Sequence, residues 1–81
     1  MDDARLRQAI LDALRRIAPE VEPDEIDARQ PLRDQVDLDS MDWLNFLLGL
    51  HATLGVDIPE TDYAKLVTLE DLLAYVRAKL T

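Results

Sequence analysis

The feature that most constrains the fold is the predicted helix from Ser40 to Leu54, because its apolar surface is wider than one buried face requires. On a helical wheel of about 100° per residue, one apolar group forms an ordinary core stripe: Trp43, Phe46, Leu47, Leu50 and Leu54. A second group lies on the other side of Ser40: Met41, Leu44 and Leu48. Such a helix is either buried on two sides in a bundle or keeps an apolar patch for a partner or a hydrophobic cargo. We expect a patch at Met41 and Leu48, and leave both alternatives open for Leu44.

Two amphipathic helices flank this central one. From Asp2 to Ala18, apolar residues recur at intervals of three and four, and Pro19 ends the pattern. Their positions are Leu6, Ile10, Ala13, Leu14 and Ile17. Thr68 and Asp71 form a capping signal for the last helix, which we expect to end near Thr81. Its expected inward residues are Leu69, Leu72, Leu73, Val76 and Leu80.

The connections complete an all-α fold. Residues 19–39 contain three prolines and scattered aliphatic residues, which predicts a long loop pinned to the core at intervals, with a short helical turn at residues 23–27. The expected anchors are Val21, Ile26, Leu32, Val36 and Leu38. Pro59 opens a predicted short helix that continues to Lys65. We therefore predict one domain, residues 1–81, folded as a small four-helix bundle with three main helices, one short helix and a long loop between helices one and two.

Composition and charge exclude several function classes. The 81 residues are 48% hydrophobic and 32% charged, as in a folded soluble protein, and they include no cysteine and one histidine, His51. A thiolate metal site is thereby excluded, and a catalytic Ser-His pair is disfavoured. The net charge of −8 favours partners with basic patches over nucleic acid or an anionic membrane. The sequence contains no signal peptide and no membrane span, so we expect a cytoplasmic protein. We also expect it to be a monomer.

The candidate chemical site is Ser40, at the start of the central helix. Serine at such a position is most often a helix cap, but Asp39 already fits the N-cap and Asp42 the third helical position. Ser40 then lies in the first turn with its hydroxyl directed outward. A phosphate ester there would gain about 0.3–1 kcal/mol from the helix dipole. No base is within sequence reach, so we expect a hydroxyl that another enzyme modifies rather than a catalytic nucleophile.

The tetrapeptide Asp39-Ser40-Met41-Asp42 resembles the Asp-Ser-Leu-(Asp/Glu) motif of acyl carrier proteins. The resemblance continues at the family's spacing through the rest of the chain: Leu50, Leu54, Ile58-Pro59, Thr68-Leu69-Glu70-Asp71-Leu72 and Tyr75-Val76. It also extends to the order of elements, namely helix, long loop, helix, short helix and helix.

The resemblance implies a carrier without catalytic residues or a metal site of its own. Ser40 would receive 4′-phosphopantetheine from coenzyme A through a magnesium-dependent phosphopantetheinyl transferase, and the thiol of that arm would carry acyl groups. The further partners would be acyl-activating, acyltransferase or synthase enzymes with basic patches. Asp39 and Asp42 match the family's docking charges, and we expect Met41, Leu44 and Leu48 to contribute an apolar docking surface beside them.

Departures from the family pattern indicate which kind of carrier to expect. Leu38 stands where the family often has glycine, Trp43 is unusual inside the helix, and the central helix lacks the glutamates of housekeeping carriers. We therefore expect a specialised, free-standing carrier for a fatty-acid, lipid or polyketide pathway. Because the chain begins with Met1 and ends at a helix terminus, we expect a separate gene product rather than an excised synthase domain. A stand-alone peptidyl carrier is the alternative, although Asp39 disfavours it. A non-enzymatic helical interaction module is a third interpretation.

Overall fold

Three α-helices dominate the part of the chain that this computed structural model describes, residues 2–80. Helix α1 spans Asp3–Ile17, the four-residue α2 spans Leu32–Gln35, α3 spans Ser40–Leu54 and α4 spans Leu69–Leu80. Two 3₁₀ segments lie at Pro23–Glu25 and Glu60–Lys65. The described residues form no β-strand, and the all-α prediction with three main helices is confirmed, while the predicted short helix is the 3₁₀ segment Glu60–Lys65. None of the helices in residues 2–80 is long and apolar enough to span a membrane.

The helix ends are set by short-range contacts, of which the Thr68–Asp71 pair was predicted from the sequence. The carboxylate of Asp2 accepts the N–H of Arg5 at 2.8 Å and caps α1. At the start of α4, the Thr68 hydroxyl accepts the N–H of Asp71 at 3.0 Å, while the Asp71 carboxylate accepts the N–H of Thr68 at 3.1 Å. This reciprocal pair is a capping box. Gly55 ends α3 with φ of 69°, a left-handed conformation that glycine adopts without steric cost.

The core lies where α1 packs against α3 and α4. Its centre consists of side chains from all three helices that are at most 1% exposed: Leu6, Ile10, Leu14, Phe46, Leu47, Leu50, Leu69, Leu72 and Val76. Burial of each side chain of this size contributes about 1.5–3 kcal/mol before entropy is counted.

The prediction that Leu80 points inward is wrong, because its side chain is 45% exposed. The reason is the length of α1: Arg77 of α4 already reaches Asp3, the first residue of α1, at 2.8 Å. Leu80 lies three residues further along α4, where little of α1 remains to cover it. The predicted end of the helix at Thr81 lies outside the described residues.

The long connection between α1 and α3 is held down as predicted, with Val21, Leu32, Val36 and Leu38 buried and Ile26 partly buried. Helix α2 within it was not predicted, because four residues are too few to show a helical period. Backbone hydrogen bonds also attach the connection to the first turn of α4 and to the segment just before it. The N–H of Leu32 donates to the carbonyl of Val67 at 2.9 Å, and the N–H of Glu70 donates to the carbonyl of Ala28 at 3.0 Å.

Candidate functional site

Ser40 is the first residue of α3, and it is exposed. The preceding residue, Asp39, has extended backbone, and its carboxylate accepts the N–H of Asp42 at 2.8 Å. Its carbonyl accepts the N–H of Trp43 at 3.0 Å. Asp39 is therefore the N-cap, as predicted, and the Ser40 hydroxyl is not used in capping. The N–H groups of Ser40 and Met41 belong to the first turn, where no intrahelical acceptor precedes them.

A cleft of about 520 Å³ begins at Ser40 and lies between α2, the first turns of α3 and the 3₁₀ helix Glu60–Lys65. Its apolar lining comes from Trp43 and Leu44 on one side and from Tyr63 and Ala64 on the other. Its charged lining comes from two side chains: Arg33 and Glu60. Sequence reasoning missed the roles of Arg33 and Tyr63 here, because the segments that carry them meet Ser40 only through the tertiary fold.

Two further clefts adjoin this one. The first, of about 430 Å³, shares the side chains of Arg33, Trp43 and Tyr63 with the cleft at Ser40. The second, of about 490 Å³, follows α3 away from Ser40 and is lined by Leu48, Tyr63 and their neighbours. Tyr63 lines all three clefts. Tyr63 therefore lies where the three clefts, together called the groove, meet, and it also packs, partly buried, against the edge of the core.

The wall that carries Tyr63 is anchored to α4. The Tyr75 hydroxyl donates to the Asp62 carboxylate at 2.7 Å, and the Lys65 ammonium lies 3.4 Å from the same carboxylate. The hydrogen bond from Tyr75 holds the pKa of Asp62 below its ordinary value. Burial, with the bond to Asp62 as a further cause, raises the pKa of Tyr75 to about 12. These contacts hold the 3₁₀ helix, and with it one wall of the groove, in place.

The two apolar groups of α3 have different surroundings. In the predicted core stripe, Trp43 and the fully buried residues after it pack inward, with the rings of Trp43 and Phe46 5.2 Å apart. Leu54 is only partly buried. In the second group, Met41 is 67% exposed, Leu48 is 52% exposed and Leu44 is partly buried. Leu44 lines the cleft at Ser40 and Leu48 lines the adjoining one.

His51 cannot assist chemistry at Ser40. It lies eleven residues further along α3, which corresponds to about 16 Å of helix. Its Nδ1 lies 3.0 Å from the carbonyl of Val56 and 3.4 Å from the Asp57 carboxylate, with the side chain 55% exposed. Within residues 2–80, no cluster of histidine, aspartate and glutamate side chains could hold a metal ion. The geometry thus presents a hydroxyl beside a groove, without a neighbouring histidine base.

Comparison with known proteins agrees with this geometry. A family model described as "Phosphopantetheine attachment site" matches residues 4–76. The chain is 32% identical to the meromycolate extension acyl carrier protein of Mycolicibacterium aurum, over 91% of this chain and 79% of the relative. The chain belongs to the acyl carrier protein family. It is also 30% identical to the acyl carrier protein of Rhodococcus erythropolis, over 91% of this chain and 85% of the relative. The acyl carrier protein of Lactobacillus acidophilus is 30% identical to this chain, over 73% of this chain and 74% of the relative.

The predicted family, carrier function and prosthetic group are confirmed by these matches. Members of this family carry acyl groups on 4′-phosphopantetheine and are carriers rather than catalysts. The residues of this carrier fit the group. An exposed hydroxyl lies at the start of a 15-residue helix, whose N-terminal N–H groups favour a phosphate, and a cleft of about 520 Å³ adjoins it.

Proposed function

We propose that Ser40 is the attachment residue for 4′-phosphopantetheine and that this carrier serves a specialised fatty-acid, lipid or polyketide pathway in the cytoplasm. The observation that supports the assignment most strongly is the exposed hydroxyl of Ser40 in the first turn of α3, where Asp39 supplies the cap. Ser40 is also the only serine in the sequence. Similarity to carriers named for meromycolate extension supports lipid synthesis among these pathways.

The attachment is a transfer performed by a phosphopantetheinyl transferase. The Ser40 oxygen forms a bond to phosphorus, the pyrophosphate bond of coenzyme A breaks, and the nucleotide part leaves. The hydroxyl proton passes to a base that the transferase supplies. When bound, the group supplies a thiol on which acyl groups are carried as thioesters, and the chain itself has no cysteine. The carrier's own residues anchor and present the arm without catalysing a step.

The docking surface for the partner enzymes surrounds Ser40. It consists of five residues on and before the first turns of α3: Asp39, Met41, Asp42, Leu44 and Leu48. The exposure of Met41 and Leu48 supports an apolar contribution to binding, because large apolar side chains at the surface commonly mark interaction sites. Asp39 and Asp42, in a chain of net charge −8, would steer transferase, acyl-activating, acyltransferase or synthase enzymes through their basic patches. We infer that the carrier acts as a monomeric single domain.

Intact mass spectrometry after coexpression with a broad-specificity transferase tests the assignment. We expect one phosphopantetheinyl addition to the wild type and none to Ser40→Ala. Thr53→Ala removes another exposed hydroxyl of α3 and serves as the matched control, which we expect to be modified normally. Modification of Ser40→Ala would overturn the assignment. Loading with acyl and aminoacyl donors then separates an acyl carrier from a peptidyl carrier, and full pathway activity of Ser40→Ala would favour the interaction module.

A further inference from the structure

Arg33 is a positively charged side chain in a strongly acidic neighbourhood. The segment from Asp34 to Asp42 contains four aspartates and no lysine or arginine. Arg33 nevertheless takes part in none of the ion pairs in the described part of the chain. Three of the nine lysines and arginines do form ion pairs: Arg29 with Glu70, Lys65 with Asp62 and Arg77 with Asp3. The guanidinium of Arg33 is thus a cation that the fold leaves without a carboxylate partner.

The guanidinium of Arg33 lies close to the start of α3. Its Nη2 donates to the carbonyl of Leu38 at 3.4 Å, longer than the about 2.7–3.2 Å of a usual N–H···O bond. Leu38 precedes Ser40 by two residues, a distance of at most about 7 Å along the chain. Arg33 and Ser40 also line the same cleft. Since a guanidinium has five N–H donors, most of the donors of Arg33 remain available for a ligand in the cleft.

We propose that Arg33 binds the phosphodiester of the phosphopantetheine arm and thereby directs the arm into the cleft that Trp43 and Tyr63 line. This inference rests on the proposed attachment at Ser40. A phosphodiester carries one negative charge and unesterified oxygens that match the planar N–H fork of arginine, whereas a lysine offers only a point charge. The first turn of α3, which begins at Ser40, adds N–H groups of its own that favour a phosphate. Arg33 is a positioning residue: it fixes the base of the arm.

The ³¹P NMR signal of the loaded carrier tests this proposal directly. The wild type, Arg33→Gln, Arg33→Lys and Arg29→Gln are loaded from coenzyme A, and intact mass confirms the attachment before any spectrum is recorded. Arg29 is the matched control, because it is exposed on the same connection but pairs with Glu70. The reference signal is that of each loaded protein unfolded in concentrated urea. Because Arg33 is exposed, its replacement leaves the core intact.

We expect the ³¹P chemical shift of the folded wild type to differ from that of its unfolded reference. Arg33→Gln should lose most of this difference in shift, Arg33→Lys should lose part of it, and Arg29→Gln should keep it. We also expect the Nε–Hε signal of Arg33 to shift between unloaded and loaded protein, and the shift to shrink in high salt. Equal ³¹P signals in the wild type and Arg33→Gln would overturn the proposal. Slower loading of Arg33→Gln with an unchanged ³¹P signal would also overturn it and place Arg33 against the transferase. If the wild type itself shows no mass addition, the attachment at Ser40 is refuted instead.

Discussion

Substitution of Asp39 separates its role as a helix cap from its role as a docking charge. In Asp39→Ala, the N–H of Asp42 loses the acceptor that lies 2.8 Å away. Loss of such a cap costs about 0.5–2 kcal/mol, typically ~1 kcal/mol, and loss of the charge at the helix N-terminus adds about 0.3–1 kcal/mol. The melting temperature of a domain this small falls by about 4–8 °C per kcal/mol. Asp39→Asn keeps the acceptor and loses only the charge, so its fall should be smaller and should vanish in high salt.

The assay combines thermal melts at low and high salt with the rate of phosphopantetheinyl loading. Asp2→Ala is the matched control, because Asp2 caps the equally long α1 with the same 2.8 Å bond to the N–H three residues later. We expect Asp2→Ala to be destabilised like Asp39→Ala but to load at the wild-type rate below its melting temperature. Both substitutions of Asp39 should slow loading, since both remove the proposed docking charge.

Two results would refute this reasoning. If Asp39→Asn is destabilised as strongly as Asp39→Ala in high salt, the side chain does not stabilise α3 as a neutral hydrogen-bond acceptor. If Asp39→Asn loads as fast as the wild type at low salt, the charge of Asp39 does not contribute to docking, and only its structural role remains.

Two further predictions concern the faces of α3 and the wall of the groove. Leu47→Ala should lower the free energy of unfolding by about 2–5 kcal/mol, because Leu47 is only 1% exposed. Leu48→Ser, at a 52% exposed position, should change it by less than about 0.5 kcal/mol but should slow phosphopantetheinyl loading. Denaturant melts and loading rates check both substitutions, and normal loading of Leu48→Ser would contradict the docking role of Leu48. The raised pKa of Tyr75, about 12, means that the folded protein holds the phenolic proton more tightly than the unfolded chain. The free energy of unfolding should therefore fall as the pH rises from about 10 towards about 12. Denaturant melts across this range should show a weaker fall in Tyr75→Phe, and an equal fall in both proteins would contradict the raised pKa of Tyr75.

The sequence by itself determined the three main helices and the candidate attachment residue, because these depend on contacts a few residues apart. The capping carboxylates of Asp39 and Asp71 accept N–H groups within three residues, and the helical periods identify the buried faces of α1 and α3. The motif around Ser40 is likewise contiguous. Since such information lies within one turn of helix, it can be read without knowing how the helices pack.

Only the tertiary structure decided what surrounds Ser40. Tyr63 is 23 residues away along the sequence, and its place at the junction of three clefts depends on the contact between Tyr75 and Asp62 that anchors its segment to α4. Arg33 lines the cleft at Ser40 together with Tyr63, which lies 30 residues further along the chain. The exposure of Leu80 follows from where α1 begins. Each of these features depends on the relative placement of elements distant in sequence, which no periodicity within a single element encodes.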